Sequence, residues 1–260
     1  LAAFVRRGAR TLGRHRAALI VALAVSLLYG AHHFLMPRFM PEGLVYKPVT
    51  YASDHDAGGY YAPRANAFFA RGELELPSLL PILNPLIMGG LGKALGSMER
   101  AFIVSDFLFP PLIFLALYSL FCEVLRRRLP ALVLSAVFIV SPLAALLSPS
   151  VLFLPQSELL YFSSFEYPKV TFLFYTLALL YIFRALRTGA RRDVIFGGVF
   201  FGMLFYTYLY DWAYLSVALG CALIWFALRR DWRAVKAGFG ILGIGGIISI
   251  PYWMNFAALR

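Results

Sequence analysis

Residues 194–228, VIFGGVFFGMLFYTYLYDWAYLSVALGCALIWFAL, are apolar throughout except at Asp211, and the number of times they cross a membrane sets the topology. Arg191 and Arg192 precede the stretch; Arg229 and Arg230 follow it. Cytoplasmic connections of membrane proteins carry an excess of Lys and Arg, so a chain with basic clusters on both flanks has returned to the side it left. Two crossings, 194–210 and 212–228, joined by a tight turn near Asp211, meet that requirement. Each has about the minimum length for a bilayer core that takes about 20 residues per helix.

Outward from there, apolar runs of similar length recur at 17–36, 101–125, 129–147, 170–186 and 237–257. Of the 260 residues, 61% are hydrophobic and 14% charged, with a mean hydropathy of +0.74. A soluble domain is about half apolar and about one quarter charged, so a water-soluble globular enzyme is excluded. The alternation of an outer-membrane barrel is absent. The expected fold is all-α: a single transmembrane domain, a polytopic helical bundle of about seven spans with a large outer loop carrying interfacial helices.

A formal charge of +11 is compatible with a nucleic-acid partner, so the placement of the cations decides. Arg6, Arg7, Arg10, Arg14 and Arg16 precede the first span, and Arg126, Arg127 and Arg128 separate the second and third. Arg184, Arg187, Arg191 and Arg192 lie between the fourth and fifth; Arg229, Arg230, Arg233 and Lys236 lie between the sixth and seventh. Sixteen of the 24 Lys and Arg thus occupy alternate connections. The basic charge reports a multi-pass topology with a cytoplasmic N-terminus, and no nucleic-acid partner is expected. Cys122 and Cys221 fall inside spans and read as packing residues. The first span, with its length and no small-residue cleavage site, reads as an uncleaved anchor. No internal repeat is evident.

On this topology the outer face carries a long loop, 37–100, and a shorter one, 148–169. They hold Glu42, Asp54, Asp56, Glu73, Glu75, Glu99, Glu158 and Glu166, eight of the 13 acidic residues. The densest polar group is Ser53-Asp54-His55-Asp56, followed by Ala57-Gly58-Gly59-Tyr60-Tyr61. From Tyr60 the spacing is helical: Tyr60, Arg64, Ala67 and Arg71 share one face, while Tyr61, Ala65 and Phe68 form an apolar stripe. Gly72 is a stop, and Pro63 is tolerated only in the first turn. This predicts a short amphipathic helix in the membrane interface.

Asp54 and Asp56 admit two readings. One of them caps that helix while the other is solvated, or a carboxylate is held at the membrane surface as a general base or as a ligand for a hard divalent cation. His55 either orients an aspartate, joins a metal site or is solvated. With His32 and His33 at the outer end of the first span and no second His near His55, a zinc site is poorly supported.

The order is one span, a large outer loop opening with Asp-x-Asp, an interfacial helix with aromatic and Arg residues, then Leu83-Asn84-Pro85-Leu86 before a Gly-rich helical segment. This arrangement resembles the GT-C superfamily of membrane glycosyltransferases. The resemblance extends through Phe165-Glu166-Tyr167-Pro168-Lys169 and Gly202-Met203-Leu204-Phe205-Tyr206-Thr207-Tyr208. It implies a polyprenyl-phosphate-linked sugar donor, a glycan, lipid or protein acceptor, and reaction on the extracytoplasmic face. It implies further that Asp54 or Asp56 activates the acceptor and that a second acid is Glu158 or Glu166. Some such enzymes use Mg²⁺ or Mn²⁺ and others do not; Asp56 is the candidate ligand here.

Glycosyl transfer needs a base for the acceptor proton and positive charge for the departing lipid phosphate. Outer-face cations are Arg64, Arg71, Lys93, Arg100 and Lys169, with Arg64 and Lys169 the first choices. Snorkelling towards lipid headgroups is the alternative for each. His55 and Tyr60 join them as candidate substrate-binding residues, as does Asp211, which lies among Tyr206, Tyr208, Tyr210 and Trp212. That group reads either as an interfacial aromatic belt or as an aromatic cleft for sugar or membrane lipid.

Asp106, about one turn into the second span, is either a wetted helix-end residue or a functional intramembrane acid. The acid makes a transporter or flippase the first rival to a transferase, and a noncatalytic membrane assembly protein is the second. The opening Leu and the end just after the seventh span lead to the expectation of an N-terminal portion of a longer protein.

Overall fold

The computed structural model describes residues 15–40, 42–43, 46, 62–72, 82–141 and 169–258. Among these, all regular structure is helical: α1 (Arg16–Gly30), α2 (His32–Phe39), α3 (Ala62–Arg71), α4 (Leu83–Leu95), α5 (Met98–Leu125), α6 (Arg128–Val140), α7 (Lys169–Thr188), α8 (Arg191–Leu204), α9 (Leu209–Leu228) and α10 (Trp232–Ala258).

Among the described residues, five stretches are long and apolar enough to cross a membrane: Arg16–Phe39, Met98–Leu125, Lys169–Thr188, Tyr210–Leu228 and Trp232–Ala258. Their outward faces are apolar too. Ile20 and Leu23 on α1, Val217 and Ile224 on α9 and Ile247 on α10 are each more than 60% exposed, an arrangement that water disfavours and lipid accepts. These helices point to an integral membrane protein. Described helix α6 has 13 residues and α8 has 14, both shorter than a full crossing.

Side-chain pairs fix the relative directions. Asp106 near the start of α5 meets Lys169 at the start of α7, while Glu123 near the end of α5 meets Arg184 and Arg187 near the end of α7. Parallel α5 and α7 need a returning connection, which α6 begins. Helix α1 runs antiparallel to α5, since His15 bonds to Tyr118 and Ser26 to Phe107. Helix α8 doubles back on α7 through Gly189, whose φ of +69° suits the residue after a helix C-terminus. Helices α8 and α10 lie parallel in close contact: a Cβ on Gly198 would press into Ile244, and one on Gly202 into Ile248. Small residues are what permit such approach between membrane helices.

The arginine clusters at 126–128, 184–192 and 229–236 therefore gather at one end of the bundle. Asp106, Lys169 and the turn at 205–208 lie at the other. The reversal expected near Asp211 occurs there, with α9 starting at Leu209. The expected amphipathic helix is α3, with Pro63 in its first turn and Gly72 at φ +75° just beyond it. Its Ala65 and Phe68 face Gly89 of α4, and the start of α4 is tied to the far turn by the Leu83 N–H donating to the Tyr206 carbonyl, 2.9 Å.

The double proline of α5 has a local consequence. Pro111 has no N–H to give the Phe107 carbonyl four residues back. The Ser26 hydroxyl of α1 donates to that carbonyl at 2.6 Å instead. Beside it Gly30 leaves the room that the Phe107 ring occupies.

Candidate functional site

Asp106 is 1% exposed, so it is not a wetted helix end. An isolated carboxylate this deep is costly unless paired and hydrogen-bonded. Its Oδ1 accepts from the Lys169 ammonium, itself 1% exposed. Its Oδ2 lies 2.8 Å from His33 Nε2. Lys169 also donates to Ser105 Oγ at 2.8 Å, and Ser105 donates to the Phe102 carbonyl at 2.7 Å.

The far side of His33 meets Tyr46. Tyr46 Oη sits 2.8 Å from His33 Nδ1. Burial, then the charge of Asp106, pushes the Tyr46 phenol up to about 12. The Asp106 carboxylate, already accepting from the Lys169 ammonium, accepts from His33 Nε2–H as well. One hydrogen-bonded chain thus runs Tyr46, His33, Asp106, Lys169, Ser105, joining α2, α5 and α7.

His32 packs against His33 with ring centroids 3.9 Å apart. Its Nδ1–H donates to the Tyr29 carbonyl at 2.7 Å, and its Nε2 stands 3.9 Å from Asp106 Oδ2. Ligand atoms of His32, His33 and Asp106 lie within 4.8 Å of one another, close enough for a metal ion. The donor set does not fit Mg²⁺ or Mn²⁺, which favour oxygen ligands. Both Asp106 oxygens are already engaged, one of them by a cation. The group is an ion pair with an imidazole attached.

At the same end, Asp211 occupies the first turn of α9 and is 8% exposed. Among the described residues, its Oδ2 has no hydrogen-bond partner. Trp212 stacks on Phe205 at 4.5 Å and meets Tyr252 and Trp253 at 6.2 and 5.7 Å. The expected aromatic belt divides: Tyr208 and Tyr210 are exposed, whereas Tyr206 turns inward and donates to the Ile248 carbonyl at 2.8 Å.

Of the residues singled out in the sequence, Asp54, His55, Asp56, Tyr60, Glu158 and Glu166 lie outside the described residues. Arg64 is half-buried on α3 and Arg71 exposed. Lys169 is described, but its ammonium is committed to Asp106 and Ser105 instead of facing an outer solvent or phosphate. The pairing of Asp106 with His33 and Lys169 was not read from the sequence. The signal was there: a buried acid near the outer end of one span demands a named partner, and Lys169 and His33 sit at that level on two others.

Comparison with family models, with curated proteins and with solved structures finds no match to this chain.

Proposed function

We propose that this chain forms the membrane part of a GT-C-like glycosyltransferase with seven crossings. It moves a sugar from a polyprenyl-phosphate donor to an acceptor on the face opposite the arginine-rich end. By the positive-inside rule that face is extracytoplasmic. The observation that supports this reading is the Tyr46–His33–Asp106–Lys169 chain. It joins the beginning of the first acid-bearing segment to the end of the second, since Tyr46 precedes Asp54 by eight positions and Lys169 follows Glu166 by three. The buried Asp106–Lys169 pair, continued through His33 to Tyr46, links the two roots on one platform.

In this reading Asp54 or Asp56 takes the acceptor proton, Glu158 or Glu166 is the second acid, and His55 and Tyr60 line the sugar. Arg64 of α3 meets the departing lipid phosphate. Lys169 supports the site through Asp106 and does not touch substrate. Asp211, whose Oδ2 has no hydrogen-bond partner among the described residues, offers a second acceptor of sugar hydroxyl groups. Any Mg²⁺ or Mn²⁺ belongs with Asp56.

A second reading is favoured by one observation, the burial of an acid, an ammonium and an imidazole between three helices, as in ion-coupled carriers. The two separate in proteoliposomes. Transfer of labelled sugar from a polyprenyl-phosphate donor by the wild-type chain supports the transferase. Solute or proton flux that disappears in Asp106→Asn, with no sugar transfer from any donor tried, supports the carrier and rejects the transferase.

A further inference from the structure

A cavity of about 660 Å³ opens between α8 and α10 at the arginine-rich end, remote from the Asp106 chain. Arg191 of α8 and Arg233 and Lys236 of α10 line it, and all three are exposed. Val194, Ile195 and Ile244 form its apolar wall. The nearby acids are engaged elsewhere: Asp231 Oδ1 accepts from the Ala234 N–H at 3.2 Å, capping α10, and Asp193 Oδ2 faces the Thr188 hydroxyl at 3.4 Å. Gly189 contributes by having no side chain. The Arg233 stem lies across it, so close that a Cβ there would stand 2.8 Å from Arg233 Cγ.

The geometry points to a binding site for one anionic phospholipid, its phosphate among the three cations and its acyl chains along the apolar wall. Charge complementarity selects an anion. The wall selects a lipid over a free ion, because Ile195 at 42% and Trp232 at 59% exposure continue it onto the bilayer-facing surface. Basic pockets between membrane helices at the cytoplasmic level bind anionic headgroups by this combination. Trp232 at the rim is placed where an indole anchors at the headgroup level. The site stands independently of the transferase reading.

The test is competition between dioleoylphosphatidylglycerol and dioleoylphosphatidylcholine for the purified full chain, with bound lipid counted by native mass spectrometry. Each cation near an anionic headgroup is worth about fivefold, so the wild-type chain retains phosphatidylglycerol at least about fivefold over phosphatidylcholine. In R191Q/R233Q/K236Q that preference falls to parity, while in R127Q, a basic residue at the same end but outside the cavity, it persists. Because these positions are exposed, circular dichroism of the triple variant matches the wild type. No headgroup preference in the wild-type chain overturns the proposal, as does an undiminished preference in the triple variant. Displacement of the bound lipid by inorganic phosphate at equal concentration also overturns it, since that marks a free-anion site.

Discussion

Asp106 has three partners, and they set what each substitution does. Removing its charge in Asp106→Asn leaves the Lys169 ammonium buried among apolar helices. Breaking one half of a buried pair costs about 3–5 kcal/mol, whereas replacing both halves by apolar residues is often close to neutral. Thermal unfolding in detergent therefore shows a large loss for Asp106→Asn, and Asp106→Leu combined with Lys169→Met recovers most of it. Equal and additive losses would remove the pair from the account. Glu123 on the same helix supplies the contrast. Its bonds to Arg184 and Arg187 are short, 2.7 and 2.5 Å, but both arginine side chains are more than a third exposed. Glu123→Gln costs less than about 1 kcal/mol, as for pairs screened by solvent.

At this scale the sequence was least informative. Asp106 was recognisable as an intramembrane acid, but an acid alone does not say which helix supplies its counter-ion. That depends on how α5, α2 and α7 pack, and Lys169 read equally well as a cation for phosphate. Arg64 is half-buried on α3, and Asp211 is buried in the first turn of α9 beside Trp212.

Helices were far more readable, because membrane spans are marked by length and apolarity, which are local properties. The runs 170–186, 212–228 and 237–257 fall within α7, α9 and α10. The stop at Gly72 and the place of Pro63 in the first turn of α3 were readable for the same reason, since each residue acts through its own backbone. What pattern could not show is which face of each helix meets which neighbour. Two predictions belong here. Ser26→Ala deprives the Phe107 carbonyl of its partner and costs about 1–3 kcal/mol. Combining it with Pro111→Ala, which restores an N–H to that carbonyl, returns part of the loss in the same unfolding measurement. An unchanged loss in the double variant would mean that the bond to Ser26 does not substitute for the helical one.

Glycines of α8 and α10 give the other contrast. Gly198→Leu and Gly202→Leu force side chains into Ile244 and Ile248 and destabilise by about 1–3 kcal/mol or more. Gly243 and Gly246 have open space around them. Alanine there is neutral or gains up to about 1 kcal/mol from helix propensity.

The bundle as a whole is organised by two polar levels. Asp106 and Glu123 are 17 positions apart on α5, about 26 Å at 1.5 Å per residue, which approaches the ~30 Å of a hydrocarbon core. Lys169 and the Arg184–Arg187 pair repeat that spacing on α7. The two ionic levels thus bracket the apolar slab, and the arginine clusters mark one side of it. Impermeant-thiol labelling in intact cells, on a chain whose Cys122 and Cys221 are replaced by alanine, gives Arg127→Cys and Arg230→Cys the same protected side and Tyr208→Cys the reactive one. Labelling of all three from outside would break the topology.

Charge placement thus carries two functions in the proposed account. Cations locate the inner end and its lipid cavity, and acids locate the reacting face. Sugar transfer from a polyprenyl-phosphate donor, in proteoliposomes holding wild type, Asp54→Asn or Asp56→Asn, tests whether those acids react. Loss of a general base lowers the rate by about 10²–10⁴-fold, so at least one of the two falls that far while donor binding persists. Wild-type rates in both variants would contradict the account.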